Sequence, residues 1–85
     1  MPSYTVVLSK KAQKQLDKLP DTIAEPIIEA IAGLEENPRP AGYKKLKGSD
    51  AYRIRTGNCR IFYDIFDNVL LVDVIGLGHR KDIYE

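Results

Sequence analysis

Along this chain the spacing of hydrophobic positions changes from two to about four and back to two. In "SYTVVLS" the residues Tyr4 to Leu8 alternate weakly and are β-branched, which predicts a first strand. From Ser9 the spacing lengthens. Ala12, Leu16 and Leu19 recur at i, i+4 and i+7, the stripe of a short amphipathic helix, and Ser9 is placed to cap it. "LPDT" breaks that helix. Ile23, Ile27, Ile31 and Leu34 then form a second stripe, widened by Ala24, Ile28 and Ala30. Thr22 with Glu25 resembles a capping box, while Pro26 lacks an N–H and crowds the carbonyl four residues back. The second helix is therefore expected to begin near Glu25 or to have a distorted first turn. Two prolines and a glycine in "ENPRPAG" end it.

After Lys45 the period returns to two. "KLKG" is a short strand or its lead-in, "AYRIRT" and "CRIFYDIF" alternate, and "VLLVDVIG" is apolar almost throughout, as expected of a central strand. Gly57-Asn58 and Asp67-Asn68 are both two-residue hairpin signals. The expected fold is α+β in the order β-α-α-β-β-β: an antiparallel β-sheet with an N-terminal two-helix hairpin packed on one face.

A chain of 85 residues fits one domain, taken here as residues 1–85. No apolar run approaches the roughly 18–20 residues that span a bilayer, and the N-terminal stretch is too short for a secretory signal. Cys59 is the single cysteine, so an internal disulfide or a two-Cys metal knuckle is excluded. These features favour the cytoplasm and no membrane. Net charge is only +1, but it is unevenly distributed. From Met1 to Gly42 five basic residues face six acidic ones, giving −1; from Lys44 to Arg60 six basic residues face only Asp50, giving +5. A basic block on a nearly neutral chain suggests a polyanion contact on one surface, or a solvated face.

The hairpin rule decides where the block's arginines go. With Gly57-Asn58 as a Gly-first turn of type II′, Arg55 pairs with Arg60, Arg53 with Phe62, Ile54 with Ile61 and Tyr52 with Tyr63. Ile54, Ile61, Tyr63 and Ile65 then share a face that can pack on the helices; Arg53, Arg55, Arg60 and Phe62 share the other. Arg55 and Arg60 would have Cβ atoms roughly 5 Å apart, a repulsive pairing. Either an external anion offsets it, for which the planar, permanently charged guanidinium suits phosphate, or acids do. A two-residue second turn places Asp73 opposite Phe62, with Asp64 on the same face, so a salt-bridge network is the competing expectation.

The tail "GLGHRKDIYE" adds His79, the only histidine and the side chain that titrates nearest neutrality, and Arg80. Tyr84 follows Arg80 by four residues, one helical turn.

With "NPRPAGYKKLKG", "YRIRTGNCRIFYDI" and "VIGLGHRKDIY" in this order of elements, the chain resembles the RelE/ParE superfamily of toxins from bacterial and archaeal toxin–antitoxin modules, more the RelE-like branch than the gyrase-directed ParE branch. The resemblance spans essentially the whole chain. It implies a ribosome-dependent endoribonuclease that cuts mRNA in the decoding site, the RNA's own 2′-hydroxyl attacking the adjacent phosphate. It implies no cofactor or metal, and as partners a cognate antitoxin, in a hetero-oligomeric complex, and the ribosome with its mRNA. Motif match carries over Arg53, Arg55, Arg60, Arg80 and Tyr84 as catalytic positions. Some members have lysines where this chain has Arg53 and Arg55, and arginine does not give up its proton. The base role therefore points to His79 or Tyr84, with the arginines as electrostatic clamps. Lys45 and Lys47 are expected on backbone phosphates and Phe62 stacked on a base. Cys59, where the motif has tyrosine, is expected to be packing. The alternatives are a ParE-like inhibitor of DNA gyrase, and an attenuated toxin that mainly binds antitoxin and assembles a repressor.

Overall fold

The fold is a computed structural model that describes residues 3–79. The first strand, β1 (Thr5–Leu8), leads straight into α1 (Lys10–Asp17). Ser9 caps that helix as expected, its Oγ accepting the Ala12 N–H at 3.0 Å. The second helix, α2 (Asp21–Gly33), starts earlier than the sequence suggests, with Pro20 at its N-cap. Thr22 is thus inside the helix and no side-chain cap forms. Pro26 is tolerated within it. A proline there removes one bond, that to the Thr22 carbonyl, and both residues are exposed, so the freed carbonyl is open to water.

Five strands form one sheet in the order β1-β5-β4-β3-β2. Of "KLKG" only Lys45 is in a strand: β2 (Lys44–Lys45) is two residues long and begins one residue earlier, on the outer edge of β3 (Tyr52–Thr56). The latter forms the expected hairpin with β4 (Cys59–Phe66), and β5 (Leu71–His79) lies between β4 and β1. Three of the pairings are antiparallel, but β1 joins β5 in parallel, with Val6 opposite Val72 and Leu8 opposite Val74. The helices cover one face. Ala12, Ile27, Ile31 and Leu34 meet Ile54, Cys59, Ile61, Tyr63, Val72, Val74 and Leu77 in a single core. Cys59 is buried there, in the packing position expected of it. Among the described residues, no helix is long and apolar enough to cross a membrane.

The second hairpin departs from expectation. Asp67-Asn68 is not a two-residue turn; a 3-10 turn, Asp67–Val69, and a left-handed Leu70 (φ 53°) close it. Asp67 is held by partners outside the turn, and the Leu70 carbonyl accepts the Thr5 N–H at 2.8 Å, so β1 helps shape the loop. Asp73 consequently stands opposite Asp64, not Phe62. A β-bulge then shifts the register again: Tyr63 is opposite Val74 but Phe62 is opposite Gly76, leaving Ile75 unpaired on the ladder.

Candidate nucleic-acid interface

The first hairpin gathers the arginines. Gly57 has φ 61° while Asn58 is not in the left-handed region, the signature of a Gly-first II′ turn. The register follows: Thr56 opposite Cys59, Arg55 opposite Arg60, Ile54 opposite Ile61 and Arg53 opposite Phe62. Ile54 and Ile61 are buried under the helices. Arg53, Arg55, Arg60 and Phe62 therefore lie on the side of the sheet that the helices leave open. Arg55 is exposed, and Arg53, Arg60 and Phe62 are half-buried.

The competing expectation, a salt-bridge network, does not form. The one ion pair among the described residues is Arg39 with Asp67, and it does not involve this cluster. The longer second turn explains why. It sets Asp64 and Asp73 against each other further along β4 and β5, so neither is directly opposite an arginine. Burial, then the Asp73 and Asp50 charges, hold the Asp64 carboxyl above its ordinary value. Arg53 feels the converse: burial, then Arg55 and Arg60, push its guanidinium below its usual range. Its Nε is buried with no hydrogen-bond partner. A buried donor without an acceptor is destabilising by about 1–3 kcal/mol, more when charged. An anion lying across these guanidinium groups would relieve the repulsion.

The other predicted positions fall differently. Phe62 shares the arginine face, and across β5 its partner is Gly76, while that of Arg60 is Gly78. Neither glycine adds side-chain bulk or charge beside the cluster. Lys45 lies opposite Tyr52 and lines an open groove of about 410 Å³ with Asp50, Tyr52, Asp64, Ile65 and Phe66, so carboxylates rather than arginines are its neighbours there. Lys47 is exposed in the turn after β2. The lysine directly opposite Arg53 is Lys44, which the sequence reading passed over. The signal was present: one more step of alternation back from Arg53 through an antiparallel neighbour reaches Lys44, but the register of a two-residue strand has no turn motif to announce it. The backbone of His79 ends β5 opposite Cys59, not opposite Arg60. Arg80 and Tyr84 lie outside the described residues.

Arg39, in the loop after α2, has a structural role. It grips Asp67 through both nitrogens, Nη1 to Oδ1 at 3.2 Å and Nη2 to Oδ2 at 2.9 Å, and its guanidinium sits 5.5 Å from the Tyr52 ring centre. The Tyr4 hydroxyl donates to the same carboxylate at 2.6 Å. Asp67 is accordingly held below the ordinary carboxylate range by Arg39 and Tyr4. Tyr52 stacks on Tyr63 at 6.0 Å, and the buried Tyr63 hydroxyl donates to the Pro38 carbonyl at 2.7 Å. Burial pushes that phenol up to about 12.

Comparison with known proteins gives one consistent result. The family model for the ParE toxin of type II toxin–antitoxin systems matches residues 6–84. Toxin RelG of Mycobacterium tuberculosis is 33% identical over 85 residues, 95% of each chain. The mRNA interferase toxin RelE of Escherichia coli is 28% identical over 93% of this chain and 85% of that one. In structure, the chain is similar to one in the crystal structure of the toxin–antitoxin complex RelBE2 from Mycobacterium tuberculosis. The TM-score is 0.83 at 28% identity, over 92% of this chain and 99% of the other.

Proposed function

The chain belongs to the ParE toxin family of type II toxin–antitoxin systems, and from that premise we propose that it is an endoribonuclease that cleaves mRNA and so stops translation. The observation that carries this reading is the cluster of Arg53, Arg55 and Arg60 on the open face, without a carboxylate partner among the described residues and with the Arg53 Nε buried and unpartnered. Escherichia coli RelE, a relative over nearly the whole chain, is named as an mRNA interferase.

In this reading the 2′-hydroxyl of one nucleotide attacks the adjacent phosphorus. The 2′-O–P bond forms and the P–O5′ bond breaks, leaving a 2′,3′-cyclic phosphate and a 5′-hydroxyl. The pentavalent intermediate carries an extra negative charge, which the fixed guanidinium groups offset. A base takes the 2′-proton and an acid protonates the departing 5′-oxygen. Arginine keeps its proton, so the base role falls to His79 or Tyr84, with Arg80 as a further clamp; His79 would act from the end of β5, where its backbone stands in the Cys59 row beside the arginine row. No metal enters the scheme. Phe62 offers a face on which a base can stack, aligning the attacking hydroxyl with the leaving group. Lys44, Lys45 and Lys47 supply sequence-independent attraction to the RNA backbone. The ribosome presents the mRNA, and the reaction takes place in the cytoplasm. A cognate antitoxin covers the basic face with acidic and apolar side chains in a hetero-oligomer, a reading supported by the likeness of this chain to one in a toxin–antitoxin complex.

Induced expression tests the reading. Wild-type protein is expected to arrest growth and yield cleaved mRNA carrying cyclic phosphate ends. Arg53→Ala is expected to lose both effects while remaining folded. Growth arrest with intact mRNA would overturn the cleavage reading. If DNA-damage signalling accompanied it, the result would favour gyrase inhibition, the reading to which the ParE name of the family model points.

A further inference from the structure

The bulge in β5 is held from outside the sheet, by α1. Where a bulge interrupts a ladder, backbone groups lose their strand partners and must find others. Here α1 and its cap supply them. The Ser9 N–H continues the β1–β5 ladder, donating to the Val74 carbonyl at 2.9 Å, and the Ser9 Oγ donates to the Ile75 carbonyl at 3.2 Å while accepting from Ala12. One turn further along, Gln15 Oε1 accepts the Leu77 N–H at 2.7 Å. Gly76 sits inside this clasp; a Cβ there would meet Gln15 Oε1 at 3.6 Å. Two backbone groups of β5, the Ile75 carbonyl and the Leu77 N–H, are thus satisfied by side chains of one short helix and its cap.

The register shows what the clasp decides. With the bulge, Gly76 is opposite Phe62, Leu77 opposite Ile61, Gly78 opposite Arg60 and His79 opposite Cys59. If the pairing of Tyr63 with Val74 simply ran on, every partner would move by one. Ile75 would then stand opposite Phe62 and Leu77 opposite Arg60, with Gly76 and Gly78 in the core row opposite Ile61 and Cys59. A one-residue slip exchanges the two faces of a strand. It would withdraw the core residue Leu77, only 5% exposed, and set branched apolar side chains beside the arginine cluster.

We infer that Gln15, remote in sequence from every candidate catalytic residue, is a positioning residue: by holding the Leu77 amide it fixes the bulge that keeps glycine, rather than leucine, beside Arg60. Gln15 touches no substrate in this scheme. It acts on the geometry of the Arg60 end of the open face. The kinetic half of this inference rests on the cleavage reading above; the register half does not.

The test uses Gln15→Met, which keeps length and helix propensity but removes the acceptor, and Gln15→Glu, which retains it. Two readouts are taken on the full chain: amide exchange and cross-strand contacts by NMR, and mRNA cleavage in a ribosome-containing assay. In Gln15→Met the Leu77 amide is expected to exchange at least about ten-fold faster, and the Arg60–Gly78 cross-strand contact to weaken. The cleavage kcat is expected to fall about ten-fold with KM within about two-fold of wild type, as for lost alignment rather than lost binding. Gln15→Glu is expected to restore all three. Unchanged Leu77 exchange and an intact Arg60–Gly78 contact in a folded Gln15→Met protein would overturn the inference, as would equal loss of kcat in both variants. A wild type that leaves mRNA intact would overturn the cleavage reading instead, and the NMR comparison would still decide the role of Gln15.

Discussion

Arg39, in the loop after α2, and the Arg53–Arg55–Arg60 cluster on the first hairpin put the same side chain to opposite uses. Arg39 has a bidentate carboxylate and a tyrosine ring beneath it, and it ties the loop after α2 to the turn between β4 and β5. The three clustered arginines face one another across a hairpin with no ion-pair partner among the described residues, and one of them keeps a buried donor without an acceptor. Arginine is thus neither structural nor functional by type. What separates the two cases is whether the fold brings an acid to it, and a cluster left without one stores repulsion that a bound phosphate backbone can release.

The sharpest way to break this contrast is to remove one clustered arginine. Arg60→Ala is expected to lower mRNA cleavage by about 10²–10³-fold, the usual effect of losing one charge-stabilising group, and to leave the melting temperature unchanged or slightly higher because repulsion with Arg55 is relieved. Cleavage kinetics beside a thermal melt measure both; a variant that melts much earlier would show the cluster to be structural. Next comes Tyr63→Phe, which leaves the buried Pro38 carbonyl without its donor and is expected to lower stability by about 1–2 kcal/mol in denaturant titration, with cleavage by the folded fraction intact.

Arg39→Met should act only on stability, and modestly, because the pair is partly exposed and salt screens it. Its fingerprint is pH dependence. The Asp67 carboxyl lies lower in the folded chain than its ordinary value, so the clasp is fully present above about pH 4 and is lost as pH falls through the folded value. In Arg39→Met that acid-side loss of melting temperature should shrink. The smallest effect is expected of Asp64→Asn. The raised Asp64 carboxyl disfavours the folded state once ionised, so the variant should gain a little stability at pH 7, about 0.5 kcal/mol or less given solvent screening, and none near pH 3 where both forms are neutral. A loss of stability instead would mean that Asp64 holds a cation of the open face.

Most of the arginine site was legible in the chain because a Gly-Asn turn is a local instruction. Gly57 takes the positive φ, the register of five residue pairs follows, and alternation alone then sorts Ile54 and Ile61 from Arg53, Arg55 and Arg60. The same logic misled at Asp67-Asn68. There the residue pair looked like a turn, but Tyr4 and Arg39 claimed the Asp67 side chain and Thr5 the Leu70 carbonyl, all from positions distant in sequence, and the loop is longer. Asp73 moved with it, and the acids that could have neutralised the arginines ended up facing each other. Lys44 was missed for a related reason, since the short edge strand that carries it is positioned by its neighbour alone.

The amino-acid sequence by itself determined the helix stripes, the α+β order and the gathering of three guanidinium groups on one face, because each rests on periodicity or on one tight turn within a few residues. Only the tertiary structure decided the parallel seat of β1, the pairing of Arg39 with Asp67 and the bulge that places glycine beside Arg60. Those depend on hydrogen bonds between groups up to 66 positions apart, where no local propensity competes and the packed helices choose the partner.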